Sequence, residues 1–348
     1  MTALPDLGWD SGRDIDFAPY AGSCVAGRVA RPDKGSHLVL TEHGPLRAEV
    51  SGALRHAAND ATALPTVGDW VAVRDGLIDA VLPRRTAFVR HGSANAAVGQ
   101  VLAANVDVVF VVVALSAAPN LRRLERFLAL AWESGAQPVV LLTKADLCDD
   151  LPGVVADVTS AAPGAPVHAV SSLTGDGLDD VRAHLTPGAT VVLLGASGVG
   201  KSTLANRMLG AEHLSTSAIR TDGKGRHTTT HRELIPLPGG AVLIDTPGLR
   251  GLQIWDAEEG IEKAFPEVEA LVERCRFADC EHRTEPGCAV LEALANGELD
   301  PRRWESHQKL QREMRHIAAK TDVRLRIADR DKWKAIHKQM RAKGAYRP

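Results

Sequence analysis

The sequence predicts a multidomain protein in which a small all-β barrel, a largely parallel α/β domain and an α-helical C-terminal part follow one another. Short β-branched runs separated by turn residues occupy about residues 21–90. Strand-like and helix-like segments alternate over residues 105–250, and the chain beyond residue 251 is charged and helical. With 348 residues, of which 45% are hydrophobic, the chain has room for two or three domains with a sizeable core.

Formal charge is distributed unevenly along the chain. The sum is −2, yet residues 301–348 carry +10 and residues 1–300 carry −12. Residues 1–18 are acidic and have no hydrophobic pattern, so we expect a loose leader there. The barrel segment that follows is weakly basic. A barrel of this size suits oligonucleotide binding, although a purely structural role fits its composition equally well.

Cysteine usage and hydropathy indicate a cytoplasmic protein. The five cysteines are odd in number and three of them cluster at positions 275, 280 and 288, which is not the pattern of a secreted disulfide framework. The N-terminus lacks the apolar stretch of a signal peptide. The longest apolar run, 108–115, has eight residues where a membrane helix needs about 20. No membrane is therefore expected as a partner.

The α/β domain is predicted from a change of hydrophobic period after residue 105. A strand-like run is followed by a stretch in which Leu121, Leu124 and Leu128 recur at helical spacing, and Asn120 can cap that helix. Later strand-like runs end in polar motifs. Strands alternating with helices favour βαβ units and a parallel sheet, whose ligand sites lie at the carboxyl ends of the strands.

The strongest of these motifs is a glycine-rich loop at residues 195–202, GASGVGKS, between a predicted strand and a predicted helix. It fits the pattern G-x-x-x-x-G-K-[ST], in which backbone N–H groups surround phosphates at a helix N-terminus. Lys201 would reach the β- and γ-phosphates and Ser202 would ligate Mg²⁺. Because a predicted strand precedes the loop and a predicted helix follows it, phosphate binding is favoured over a chance glycine turn.

A second motif, DTPG at residues 245–248, ends another hydrophobic strand further along the chain. Asp245 can hold the Mg²⁺ water shell, and the N–H of Gly248 can meet the γ-phosphate. Between the two motifs lies a threonine triplet at 228–230, from which we take Thr229 to complete the Mg²⁺ shell. An incidental solvated loop is the alternative for that segment.

The base of the nucleotide is predicted from two motifs that precede the glycine-rich loop. TKAD at 143–146 resembles the [NT]-K-x-D guanine signature of translation-type GTPases, with Thr143 where asparagine is usual. The Asp146 carboxylate can accept two N–H groups from guanine, and adenine offers no matching pair. Ser171 and Ser172 resemble the companion loop near guanine O6. Paired with the P-loop, the two motifs indicate GTP.

The order of the motifs resembles that of a circularly permuted GTPase, because the guanine motifs come before the P-loop. Permutation leaves the folded site unchanged, since domain termini lie near one another. Leu249 follows DTPG where many GTPases carry the glutamine that orients water, which predicts slow intrinsic hydrolysis. We take His227 as the substitute catalytic group, with Lys201 and Thr229.

A cysteine–histidine cluster in the C-terminal part predicts a zinc site. Its ligands are Cys275, Cys280, His282 and Cys288, a Cys₃His set with compact spacing. Buried reduced cysteines are the alternative. Such a site is structural and stabilises a segment too small to hold a core.

Two basic amphipathic stretches follow the cluster. Leu310, Met314 and Ile317 mark one apolar stripe, and a second stripe comprises Trp333, Ile336 and Met340. Their basic faces suit a phosphate-rich polyanion, although a charged solvated helix is the common alternative.

From about residue 20 onward, this ordered set of motifs is similar to the bacterial ribosome small-subunit-dependent GTPase A family. The resemblance implies an OB-fold barrel at 19–92, a circularly permuted α/β P-loop GTPase domain at 93–252 and an α-helical zinc-knuckle and basic domain at 253–348, after an acidic leader at 1–18. It implies Mg²⁺-dependent GTP hydrolysis, slow alone and stimulated by the small ribosomal subunit, in late maturation of that subunit through rRNA binding. We expect a monomer.

Carried over by position, the resemblance assigns nucleotide and metal residues. The nucleotide residues it assigns are Thr143, Lys144, Asp146, Ser171, Ser172, Gly195, Ala196, Ser197, Gly198, Val199, Gly200, Lys201, Ser202 and Thr203, to which the DTPG motif adds Asp245 and Gly248. The zinc ligands it assigns are Cys275, Cys280, His282 and Cys288. Two other functions stay open. One is a regulatory GTP sensor that grips a protein partner, and the other is a P-loop ATPase that acts on nucleic acid.

Overall fold

A computed structural model of the chain describes residues 3–58, 60–90, 99–210, 232–246, 249 and 258–321. The strands within these residues are β1 Val25–Pro32, β2 His37–Thr41, β3 Gly44–Val50, β4 Trp70–Arg74, β5 Leu77–Val81, β6 Ala87–Arg90, β7 Gln100–Ala104, β8 Val108–Ala114, β9 Gln137–Thr143, β10 Val167–Val170, β11 Thr190–Leu194, β12 Glu233–Pro236 and β13 Val242–Asp245. The α-helices within them are α1 Ser11–Phe17, α2 Gly52–Ala57, α3 Leu121–Glu133, α4 Leu151–Ser160, α5 Leu178–Ala183, α6 Lys201–Leu209, α7 Glu258–Ala264, α8 Pro266–Val272, α9 Ala289–Asn296 and α10 Pro301–Thr321.

The predicted barrel is confirmed as a closed sheet of five strands in the order β1-β2-β3-β5-β4. All its neighbours are antiparallel except β3 and β5. Alternate side chains of the strands fill its interior, among them Val29, Val39, Val71 and Ile78. The last strand-like run of the segment, β6, does not join the barrel and pairs with β7 instead.

The N-terminal residues differ from the loose leader expected from their charge. Residues Leu4–Leu7 and Ala18–Tyr20 form 3₁₀ turns on either side of α1, and Leu7 is fully buried. The Trp9 ring packs edge-on against Trp70 of the barrel, with centroids 4.9 Å apart. A few large apolar side chains therefore dock the segment, although their spacing has no period that a sequence pattern could show.

A buried arginine fixes the barrel on the α/β domain. The guanidinium of Arg28 donates to the carbonyls of Leu7, Gly68 and Asn105, and to Oγ1 of Thr190 at 2.8 Å. Burial lowers the pKa of Arg28 to about 10. Since each of these partners compensates for lost water, removal of the guanidinium would leave several buried polar groups unpaired.

The α/β domain has a six-stranded sheet in the order β10-β9-β8-β11-β13-β12, parallel except for the edge strand β12. The chain runs outward through β8, β9 and β10 and then returns to place β11 on the other side of β8. This reversal creates a switch point at the carboxyl ends of β8 and β11, where α/β sheets bind ligands.

The described C-terminal residues, 258–321, form the helices α7–α10, as predicted, and α7 and α10 contact α3. A Cβ atom on Gly260 of α7 would lie 2.2 Å from the Ala129 carbonyl oxygen, so only glycine permits this approach. Buried Arg303 of α10 pairs with Glu125 of α3 at 2.9 Å and with Glu267 of α8 at 2.6 Å. The second basic stripe, at 333–340, lies outside the described residues. Among the helices that the structure describes, none combines the length and apolar character needed to cross a bilayer.

Candidate nucleotide site and metal centre

The phosphate loop connects β11 to α6 at the switch point of the sheet. A Cβ atom on Gly195 would lie 2.4 Å from the Val112 carbonyl oxygen, and Gly198 and Gly200 adopt φ of +79° and +97°. Glycine is therefore required sterically at Gly195 and is favoured by the backbone conformation at Gly198 and Gly200. Buried Lys201 begins the helix, and its ammonium group donates to the carbonyls of Gly195, at 2.8 Å, and Ala196. The loop thus curls around a cation at a helix N-terminus, which is an arrangement that binds phosphate.

Oxygen ligands suited to Mg²⁺ lie next to this loop. The parallel neighbours β11 and β13 end at the same edge of the sheet. One cleft at this edge is therefore lined by Lys201, Ser202, Asp245 and Thr246. The hydroxyl of Thr246 is buried and has no hydrogen-bond partner among the described residues. Hydroxyl and carboxylate oxygens are the ligands that Mg²⁺ prefers, so the donor set fits the ion.

The first guanine motif, TKAD, contacts the phosphate loop directly. The hydroxyl of Thr143, whose side chain is buried, donates to the Val199 carbonyl at 2.6 Å. Lys144 adopts a left-handed φ of +59°, and its ammonium group donates to the Gly198 carbonyl at 3.2 Å. Both residues therefore tie the carboxyl end of β9 to the loop that would hold the phosphates.

A second set of bonds orients the carboxylate predicted to read the base. The hydroxyl of Ser171 donates to Asp146 at 2.6 Å, and Ser171 is itself buried. Arg207, at the end of α6, donates from Nε to the Ser172 carbonyl at 2.9 Å. Sequence reasoning missed Arg207, since a single basic residue in the last turn of a helix belongs to no motif.

Of the predicted nucleotide residues, the structure brings Thr143, Lys144, Asp146, Ser171, Ser172, the glycine-rich loop 195–202, Thr203 and Asp245 to one edge of the sheet. His227, Thr229 and Gly248 lie outside the described residues. Leu249, which stands where a water-orienting glutamine is common, is 1% exposed and belongs to the main hydrophobic core. Its side chain therefore packs in the core.

The cysteine–histidine cluster is assembled as a compact ligand set. The ligand atoms of Cys275, Cys280, His282 and Cys288 all lie within 4.8 Å of one another. The sulfurs of Cys275 and Cys288 are 3.9 Å apart, and His282 Nδ1 lies 3.5 Å and 3.3 Å from them. A tetrahedral site with Zn–S bonds of about 2.3 Å places its sulfurs about 3.8 Å apart, so these separations fit zinc.

Local backbone features shape the cluster and dock it on α10. His282 and Gly287 adopt left-handed φ of +55° and +77°, and Cys288 immediately precedes α9. The His282 ring packs edge-on against Trp304 of α10, with centroids 5.6 Å apart. Burial lowers the pKa of His282, which favours the neutral imidazole that a metal ligand must be.

Comparisons with known proteins agree with this geometry. The profile of the family described as RsgA GTPase matches residues 81–255, and that of a family described as 50S ribosome-binding GTPase matches residues 190–346. The chain is 54% identical over 340 residues to a protein of Streptomyces avermitilis named small ribosomal subunit biogenesis GTPase RsgA, covering 95% of this chain and 91% of the relative. It is 49% identical to the protein of that name from Opitutus terrae, covering 98% and 97%.

Solved structures share the fold. YjeQ from Thermotoga maritima superposes with a TM-score of 0.62 at 28% identity, covering 83% of this chain and 98% of that one. YloQ, described as a circularly permuted GTPase, superposes with a TM-score of 0.60 at 25% identity, covering 84% and 96%. The permuted order of motifs is therefore shared with a solved protein.

Proposed function

Since this chain belongs to the RsgA GTPase family, we propose that it hydrolyses GTP in a Mg²⁺-dependent reaction, slowly alone and faster on the small ribosomal subunit, whose late maturation it assists through rRNA binding. The observation that carries the proposal is the pair of bonds from Thr143 and Lys144 to the phosphate loop. They join a guanine-type motif to a phosphate-binding loop within one site, although the two motifs are far apart in the chain.

The described residues have distinct parts in this reaction. Lys201 and the loop N–H groups stabilise charge that develops on the β- and γ-phosphate oxygens as water displaces GDP from the γ-phosphate. Asp146, oriented by Ser171, accepts N–H groups of guanine. Ser202 and Asp245 would hold Mg²⁺, which neutralises phosphate charge when bound. Cys275, Cys280, His282 and Cys288 would hold one structural zinc ion.

The slow basal rate follows from Leu249, because an apolar buried side chain cannot orient water. We assign that role to His227, with Thr229 completing the Mg²⁺ shell and Gly248 donating to the γ-phosphate. On this assignment His227→Ala retains GTP affinity and loses the subunit-stimulated rate. Unchanged stimulated turnover in this variant would show that another group activates the water.

Charge distribution supports an RNA partner. Helix α10 buries Leu310 and exposes Arg302, Lys309, Arg312 and Arg315. Residues 301–348, which begin with this helix, carry +10 in all. A basic helical face of this kind attracts phosphate backbones electrostatically, and this attraction weakens as the salt concentration rises. A ribosomal partner would place the protein in the cytoplasm, where we propose that it acts as a monomer.

Phosphate release with purified small subunits, measured across a salt series, tests the proposed function. We expect a rate several-fold above the basal one that declines as salt rises. Tight GTP binding without stimulation would favour the regulatory sensor. Equal competition by ATP and GTP would favour the nucleic-acid-linked ATPase. Stimulation that does not change with salt would contradict binding through phosphate contacts.

A further inference from the structure

The barrel and the edge of the nucleotide domain are joined by an ion pair that the reaction itself does not use. Nη1 of Arg31, on β1, lies 3.2 Å from a carboxylate oxygen of Glu233, on β12. Strands β1 and β12 are in contact along this junction. Arg31 belongs to the barrel and Glu233 to the six-stranded sheet, so the pair connects the two parts of the molecule.

The barrel holds Arg31 in place. Its Nε and Nη2 atoms lie 3.1 Å and 3.4 Å from the carboxylate of Asp33, which also accepts from Arg47 at 2.8 Å. The register of β1 shifts between Val29 and Arg31, and such an irregularity redirects the following side chain. Two of the three guanidinium nitrogens are thus fixed within the barrel, and the third is left for Glu233.

On the other side of the junction, Glu233 is the register partner of Asp245 in the antiparallel pair β12 and β13. Asp245 lines the cleft with Lys201 and Ser202. The barrel also approaches β13 closely at Gly68, where a Cβ atom would lie 2.9 Å from Cδ1 of Ile244, the neighbour of Asp245. These contacts connect the barrel to the strand that carries Asp245.

We propose that Arg31 and Glu233 act as positioning residues that couple the barrel to the Asp245 end of the nucleotide site, so that the subunit's effect on GTP hydrolysis passes partly through this ion pair. The inference rests on the proposed function, because it requires hydrolysis that the small subunit stimulates. Arg31 and Glu233 are 28% and 38% exposed, so the pair carries a modest coupling.

A double-mutant cycle on the stimulated rate tests the coupling. Arg31→Gln and Glu233→Gln each remove one partner, and we expect each to lower the ratio of stimulated to basal hydrolysis by about two- to five-fold. The double variant is expected to lose no more than either single variant. Basal hydrolysis and GTP affinity stay unchanged, and Arg31→Lys, which keeps the charge, retains most of the stimulation.

Controls separate coupling from attraction to RNA. Glu233→Gln removes a negative charge and so cannot weaken the attraction, and subunit binding is measured separately by co-sedimentation. Arg74→Gln and Asp79→Asn break a matched, partly exposed ion pair, at 2.6 Å within the barrel, and are expected to keep the stimulation.

The outcomes distinguish the inference from the function on which it rests. A wild-type chain that the subunit does not stimulate contradicts both. If the subunit stimulates the wild type and stimulates both single variants fully, the coupling alone is overturned. The same holds if the losses of the two single variants multiply in the double variant. A fall in basal rate equal to the fall in stimulated rate also overturns it, since the pair would then serve the site itself.

Discussion

The hydroxyl of Thr143 donates a hydrogen bond of 2.6 Å to the backbone carbonyl of Val199, across 56 residues of chain. This bond joins the end of β9 to the phosphate loop, and the same hydroxyl also lies 3.3 Å from the Val113 carbonyl. A threonine in the first position of the guanine motif therefore serves the geometry of the site through its hydroxyl. It holds the element predicted to bind the base in a fixed relation to the phosphate loop.

Replacing Thr143 with valine keeps the shape of the side chain and removes this bond. The partly buried Val199 carbonyl would lose a partner, which costs on the order of 1–2 kcal/mol. We expect Thr143→Val to weaken GTP binding about ten-fold in a fluorescent-nucleotide titration. Thr143→Ser, which keeps the hydroxyl, should bind nearly as the wild type does. Equal affinity of the valine variant would show that the bond is dispensable.

Guanine selectivity is predicted to depend on Asp146, whose carboxylate Ser171 orients at 2.6 Å. Asp146→Asn replaces one acceptor with a donor that faces the N–H groups of guanine. We expect GTP affinity to fall about 100-fold and xanthine nucleotides, which offer an acceptor at that edge, to bind better than GTP. Competition between the nucleotides measures the preference. A variant that still prefers GTP would place the base elsewhere.

Metal content tests the cysteine–histidine cluster. Metal analysis is expected to find one zinc ion per chain in the wild type and almost none in Cys288→Ser, because three ligands do not close a structural site. The variant should unfold several degrees lower, since the cluster docks on α10 through His282 and Trp304. Cys148→Ser is the matched control, as Cys148 is a free cysteine outside the cluster. Equal zinc content in the two variants would contradict the site.

Acid is predicted to loosen the N-terminal segment through Asp10. Arg85 donates to both carboxylate oxygens of Asp10, at 2.5 Å and 2.7 Å, and holds the pKa of Asp10 well below its ordinary value. The stabilisation is therefore present above the unfolded pKa of about 4 and is lost as pH falls from there toward the folded pKa.

Asp10→Asn isolates this charge, because asparagine still caps α1. We expect limited proteolysis to cut the N-terminal segment of Asp10→Asn faster than that of the wild type at pH 7. Since both partners are half exposed, the difference should be small, and it should shrink steadily as pH falls below about 4. A difference that grows on acidification would reverse the sign and refute the assignment.

The sequence predicts a feature when the residues that form it are close together in the chain or share a regular pattern. The glycine-rich loop and the ligand spacing around Cys288 are local, so chain order alone identified them. Short β-branched runs between turn residues likewise predicted the barrel, and the alternation of strand-like and helix-like segments predicted the parallel sheet. The docking of residues 4–20 could not be predicted this way, because it rests on separate contacts such as Trp9 on Trp70, which no period encodes.

Other parts of the site depend on pairings between distant residues. Arg207 reaches the Ser172 carbonyl across 35 residues, and Arg31 reaches Glu233 across 202. Each residue is by itself an ordinary surface cation. Only the folded topology, which brings β1 beside β12 and α6 beside the loop after β10, gives Arg207 its carbonyl partner and adds Glu233 to the local partner Asp33 of Arg31.

Leu249 offers a test of the proposed slow basal hydrolysis. Its side chain is 1% exposed within the main core, so a glutamine there would bury an amide, at a cost of about 1–3 kcal/mol, rather than orient water. We expect Leu249→Gln to unfold at a lower temperature and to leave basal hydrolysis unchanged, whereas Leu249→Met, which conserves volume, keeps the stability. A ten-fold gain in basal hydrolysis would show instead that this position reaches the nucleotide, and that the identity of the residue rather than its burial sets the rate.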